Sequence, residues 1–174
     1  MHNQKLDSAL NIFLSTLDAF HPSIATALRP GLNRDSIIEA FESINFDAPA
    51  ELIQLYQWRD GTEWSHSPEL DIVPGCYFLP LEHALTQHCT NELFKDIGEP
   101  LWDSFRILSD HGTGGYSLAT NAAGGKVIER CVHDSWKLAF DSLSTLFELS
   151  AACYSSGVFR TEHKTSIEID WDHF

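Results

Sequence analysis

The chain is short of bases. Eleven Lys and Arg stand against 25 Asp and Glu, a formal net charge of −14 over 174 residues. Nucleic acid is therefore not an expected partner, because phosphate recognition runs on Lys and Arg. Long apolar runs are also missing. None approaches the roughly 18 residues a membrane-crossing helix needs, so no membrane partner is expected. The opening residues, MHNQKLDSALNIFLSTL, lack the compact apolar block and small-residue cleavage site of a signal peptide, and a cytoplasmic location is expected. Cysteine is sparse and unpatterned. Cys76, Cys89, Cys131 and Cys153 form no CxxC pair, so no zinc site is announced. Buried or half-buried thiols in a reducing compartment are the simpler reading.

Local catalytic patterns are missing as well. There is no HExxH and no GxSxG. The run Gly112-Thr113-Gly114-Gly115 lacks the Lys-Ser/Thr of a phosphate loop. It joins strand to strand, without the helix N-terminus that makes an anion site. Among the nine histidines, His83 and His88 are five apart and do not share a helical face. His111 beside Asp110 and His133 beside Asp134 are strand neighbours that point to opposite faces. No catalytic residue, cofactor or metal ligand is expected, and the chain is not read as an enzyme. A hydrolase with dispersed catalytic residues is the remote alternative, since such residues leave no local trace.

What is present belongs to a folded protein. Hydrophobic residues make up 43% and aromatics 11%, enough for a real core in one domain spanning 1–174. Leu6, Ala9, Leu10, Phe13, Leu14, Leu17 and Phe20 trace one helical stripe, which Pro22 ends. This helix is read either as core or as a partner-binding element. A second helix follows Asn33, a good N-cap, and buries Ile37, Ile38, Phe41 and Ile44. A third begins near Pro49 with Leu52, Leu55 and Tyr56 on its buried side, and Gly61 closes it. Residues 62–74 read as a loop, Pro74-Gly75 as a turn, and 76–79 as a short strand. A helix from Leu81 to about Phe94 carries Leu81, Ala84, Leu85 and His88 on one side.

Residues 105–149 hold the densest pattern. Phe105, Ile107 and Ser109 alternate as a strand; further strands are expected over 116–120, 127–132 and 137–140, making an antiparallel meander. Asp141 or Ser142 caps the next helix, which buries Leu143, Leu146 and Phe147 and stops at Ser155-Ser156-Gly157. In the tail, Ile167, Ile169 and Trp171 alternate with acids, as a one-sided strand or an ordered arm.

The acid is unevenly spread. Between Asp60 and Asp103 nine acids face one base, Lys95, a segment charge of −8. That stretch is read either as a solvated face or as one that steers a basic partner. Trp58, Asp60, Glu63 and Trp64 cluster near its start, and Tyr116 follows the glycine link. Trp and Tyr are frequent at interfaces because they combine area with a polar handle; Trp58 and Tyr116 are also read as core.

Four segments carry a family resemblance. They are APAELIQLYQWRDGTEW, VPGCYFLPLEHAL, FRILSDHGTGGYSLAT and GGKVIERCVHDSWKLAFDSLSTLFEL. In order and spacing they resemble the SMI1/KNR4 family of the SUKH superfamily, over about residues 29–150. The helix 4–20 and the arm 162–174 lie outside that core as additions. The resemblance implies an α+β fold, a mainly antiparallel sheet of about 4–6 strands with helices packed against it. It also implies a non-enzymatic binding role. Many bacterial members are immunity proteins that neutralise a cognate toxin, and fungal members act as regulatory scaffolds. The expected function is therefore an immunity protein for a basic toxin, a nuclease being one such toxin. A regulatory or scaffold domain binding an endogenous protein is the alternative. Trp58, Asp60, Glu63, Trp64, Asp110 and Tyr116 are the expected contact residues, with Asp60 and Glu63 pairing to Lys or Arg of the partner.

Overall fold

Chain entry into the fold is fixed by a cap. Asn3 accepts from the backbone N–H of Lys5 and Leu6 and starts α1, Gln4–Phe20. Most of its expected stripe is buried: Leu6, Ala9, Leu10, Phe13 and Leu17 are in the core, while Leu14 is half-buried and Phe20, at the helix end, is exposed. Pro22 does more than end this helix. It occupies the first turn of α2, Pro22–Ala27, where a missing N–H costs nothing. His21 therefore both terminates α1, its N–H bonding Leu17 O, and precedes α2. The chain then forms a short strand, β1, Leu28–Pro30. The computed structural model describes residues 3–63, 71–92, 104–110, 115–119, 125–130, 137–162 and 166–170.

Asn33 caps α3, Arg34–Glu42, by accepting from Asp35 N at 2.8 Å. Ile37 and Phe41 face inward. The next helix, α4, Ala50–Trp58, follows Pro49 and buries five consecutive residues from Leu52 to Tyr56. A helix covered on every side lies inside the fold, and Tyr56 there donates its hydroxyl to Leu79 O at 3.2 Å. Gln54 ties α4 to the start of α1, exchanging hydrogen bonds with the Asn3 backbone at 2.8 and 3.0 Å.

The expectation that Gly61 closes this helix is corrected. The helix stops at Trp58, and Arg59 is already extended. Gly61 sits inside β2, Arg59–Thr62, which pairs antiparallel with β1. Its φ of +74° and the backbone of Leu79 and Pro80 against it explain the glycine.

The loop expected over 62–74 also contains a strand, β3, Asp71–Val73. Pro74-Gly75 makes the turn into β4, Cys76–Phe78, and α5, Leu81–Glu92, follows. Leu81, Ala84 and His88 are buried on α5's inner side. The single strand expected through 105–109 divides in two. β5, Ser104–Arg106, pairs with β7, Gly115–Ala119, whereas β6, Leu108–Ser109, pairs with β4. Ile107 lies at the junction and its carbonyl accepts from Leu79 N.

The meander continues through β8, Val127–Arg130, and β9, Lys137–Phe140, giving the order β5-β7-β8-β9. Ser142 caps α6, Leu143–Ser156, accepting from Thr145 N, and Gly157 ends it in the left-handed conformation. Two strands remain, β10, Phe159–Glu162, and β11, Ser166–Ile169, paired as a hairpin. Residues 166–169 of the tail are thus half of a hairpin, and Trp171 lies outside the described residues.

The architecture is mixed α+β, as expected. Among the described residues every strand pairing is antiparallel, and the strands form sheets of four, three, two and two, the largest being β5-β7-β8-β9. One cluster of buried residues runs from Leu6 in α1 to Ile167 in β11. Phe13 meets Phe147 edge-on at 5.1 Å and Tyr154 at 6.3 Å, so α1 packs on α6 as part of the core. Burying its stripe at roughly 1.5–3 kcal/mol per large apolar side chain makes this helix a main contributor to stability. Among the described residues no helix is long and apolar enough to cross a membrane.

Candidate functional site

The stretch from Trp58 to Glu63 crosses from the end of α4 into β2, and its side chains divide between inside and outside. Trp58 is half-buried. It stacks on Phe78 with ring centroids 6.5 Å apart and meets Phe147 edge-on at 5.9 Å. Its indole Nε1 is buried and has no acceptor. Trp58 is thus mainly a core residue. Its remaining face carries the guanidinium of Arg59, 5.7 Å from the ring centroid, a cation–π arrangement.

Asp60, expected to pair with a base of the partner, is turned inward and pairs within the chain instead. The side chain is 3% exposed, and both oxygens are used within the chain. One accepts from Leu81 N at 2.9 Å, at the start of α5. The other is 2.7 Å from Arg29 Nη2. Burial pushes this carboxyl above its ordinary range, against the pull of the Leu81 N–H and of Arg29. Arg29, a third exposed, also reaches Glu82 at 3.1 Å. The Arg29–Asp60 pair spans β1 and β2 and fixes the N-terminus of α5 beside them.

Glu63 is exposed, its N–H bonded to Ala27 O, and stays a surface acid. Trp64 lies outside the described residues. Asp110, half-buried, belongs to a different group. With Asp71 and Glu129 it acts on the buried Cys76, while Arg106 acts in the opposite sense. Burial, reinforced by these carboxylates, pushes the Cys76 thiol up to about 12. Such a thiol stays protonated and is a poor nucleophile. Cys153 is half-buried, and both cysteines are free. Tyr116 lies in β7 opposite Glu129 of β8. The structure thus groups Trp58 with Arg59, turns Asp60 inward, leaves Glu63 outside, and sets Asp110 with Cys76.

Sequence reasoning passed over Arg29, Arg59 and His21. Arg29 and Asp60 are 31 residues apart, and no local spacing signals the pair. Arg59 carries a signal in retrospect, a base directly after a Trp at a helix end. His21 is buried, with Nδ1 2.9 Å from Ser23 Oγ and Nε2 buried without a partner. Burial lowers its pKa. The unfolded chain then takes up the proton first as pH falls below about 6.5, so this residue's contribution to stability is present above that value and lost below it. Urea unfolding at pH 7 and pH 5 is expected to show a steeper loss on acidification for the native chain than for His21→Gln. Equal losses would remove His21 from the acid response.

Several surface acids have no ion pair. Asp35, Glu39 and Glu42 are exposed on α3 at spacings of four and three, hence on one face. Asp47 is exposed just beyond. Among the described residues none of these four meets a cation in a salt bridge. No group of three or more His, Cys, Asp or Glu able to hold a metal occurs among the described residues. No family model matches the chain, and no curated protein matches it.

Proposed function

We propose that the chain is a non-enzymatic protein-binding domain of the immunity type, acting in the cytoplasm to bind and neutralise a basic toxin. The observation that carries this reading is electrostatic. A net charge of −14 is carried in part by an unpaired acidic row on α3, with Glu63 and Glu82 also exposed. Asp35 stands in the first turn of α3, where the helix dipole favours an acid, but Glu39 and Glu42 gain no such support, and the row raises encounter rates with a partner of opposite sign. The resemblance of residues 29–150 to the SMI1/KNR4 family supports the same reading.

The test is to mix the purified chain with the product of the adjacent reading frame and follow complex formation and the activity of that product. Tight binding with loss of toxin activity is expected. Association is expected to slow with salt, and Asp35→Lys with Glu39→Lys and Glu42→Lys is expected to slow it about tenfold or more. Failure to bind, with toxin activity untouched, rules the reading out.

A further inference from the structure

A groove of about 400 Å3 opens beside the Trp58–Arg59 pair. One wall is the row Leu14, Ser15 and Asp18 on α1, and the other is Ala25 and Thr26 of α2, with Arg59 of β2 among the lining residues. The row lies on the flank of α1, next to the stripe that enters the core. Leu14 and Ala25 are half-buried and give the groove an apolar part. The hydroxyls of Ser15 and Thr26 are already committed, donating to Ile12 O and Pro22 O.

Two charges of opposite sign line this groove without meeting. Arg59 is held in place by the Trp58 ring and by one hydrogen bond, Nη1 to Trp58 O at 2.8 Å. A guanidinium has five N–H donors, so four remain, and no carboxylate among the described residues pairs with it. Asp18 is exposed and likewise has no ion pair among the described residues. It stands in the last turn of α1, which has no base, at the end of the helix dipole where a carboxylate is unfavourable. The fold gains nothing from an acid at that position. An arginine immobilised on an aromatic face has already lost most of its freedom and binds a carboxylate in a defined geometry.

We propose that this groove is a contact site for the partner protein and receives a neighbouring acid and base from it. Arg59 takes the partner's Asp or Glu, Asp18 takes its Lys or Arg, and the apolar part packs the intervening side chain. The inference rests on the protein-binding reading and deepens it. It places a cation at the centre of contact on an otherwise acidic molecule. Acidic steering then brings the partner in, and the groove supplies register, because a uniformly basic surface offers nothing to Arg59.

The experiment uses the complex with the adjacent reading frame's product. Affinities and rates are measured for Arg59→Ala, Arg59→Lys and Asp18→Asn, and hydrogen exchange is compared between free and bound chain. Arg59→Ala is expected to weaken binding about thirtyfold, mainly through faster dissociation, as for a buried interface arginine. Arg59→Lys is expected to recover only part of this, since Lys lacks the planar fork. Asp18→Asn is expected to weaken binding about fivefold, largely through slower association. Residues 11–18 and 25–26 are expected to gain protection in the complex. A complex that tolerates all three substitutions overturns the groove and leaves the binding reading standing. The same holds if Arg59→Ala weakens binding while lowering the thermal midpoint and protection appears elsewhere, because Arg59 then acts only through α4. If the two proteins form no complex at all, both inferences fall.

Discussion

Gly31→Ala is expected to unfold the chain at temperatures where Gly75→Ala leaves it native. A Cβ at Gly31 would lie 1.8 Å from the carbonyl oxygen of Gln57 and 2.5 Å from its carbon. Those atoms belong to the last turn of α4, directly after the buried run Leu52 to Tyr56. The neighbouring bond from Leu32 N to Tyr56 O, at 2.9 Å, holds the two segments together. Relief therefore requires moving α4 within a close-packed core, and cores resist such shifts. A loss of about 4 kcal/mol or more follows, of the size seen when a backbone contact cannot relax. For a chain of this length that is on the order of 10 °C or more in midpoint. Gly61→Ala combines a positive φ with a Cβ 2.3 Å from Pro80 N and is expected to lie close behind. Gly75 shares the positive φ but has nothing within 4 Å, so its alanine variant isolates the backbone term at about 1–2 kcal/mol. Thermal melts followed by circular dichroism rank the three. A Gly31→Ala midpoint within a few degrees of native would mean that β1 and α4 do not approach as described.

The difference between Gly31 and Gly75 shows what the sequence conveys and what it withholds. Pro74-Gly75 is a turn signal by composition alone, and a turn is what forms. Gly31 and Gly61 carry no such signature, because their requirement comes from chain segments 26 and 19 residues away. The same division runs through the fold. Asn33 and Ser142 were readable as caps and the apolar stripes of α1, α3 and α6 as buried faces, since helix periodicity accumulates over two or more turns. Strands of two to four residues such as β1, β3 and β6 are too short to show a period, and they form because a distant partner supplies the hydrogen bonds. The run Phe105-Arg106-Ile107-Leu108 could not reveal its division between two sheets, since the alternation of Phe105 and Ile107 fits one strand and only the distant partners β7 and β4 divide it. At the candidate site, Glu63 was readable as a surface acid. Asp60, three residues earlier and of equal charge, was not readable as buried, because Arg29 and Leu81 N–H, which permit its burial, lie far along the chain.

Asp60 also yields the second large effect, which separates a structural carboxylate from a binding one. Asp60→Ala is expected to cost about 3 kcal/mol, because it leaves the Leu81 N–H without an acceptor and removes the partner of Arg29. Asp60→Asn is expected to cost about 1 kcal/mol. Its amide oxygen still accepts from Leu81 N, and Arg29, a third exposed, keeps Glu82 at 3.1 Å. The smaller cost also follows from the raised pKa. Burial already opposes the charge on Asp60, so a neutral isostere is spared that opposition. The sign of the pH dependence is opposite to that of an ordinary paired carboxylate. With the folded pKa above the unfolded value of 3.8, the stability linked to this proton is complete below 3.8 and is lost as pH rises through the folded pKa. Arg29→Ala removes one of the groups that lower it, so the folded pKa rises further. The penalty of Arg29→Ala is then expected to be about 3 kcal/mol at pH 7 and to shrink as pH falls toward 4, whereas that of Asp60→Asn, which has no proton to take up, grows as pH falls. Chemical denaturation of the variants at the two pH values measures this. Binding supplies the independent check. A carboxylate enclosed by Arg29 and the start of α5 has nothing left for a partner, so Asp60→Asn should bind the proposed protein partner within about twofold of the native chain. Charge reversal at exposed Glu63 should slow association. If Asp60→Asn abolishes binding in a chain that still folds, the inward assignment of this residue fails, and the contact face lies where Arg29, Asp60 and Glu82 meet.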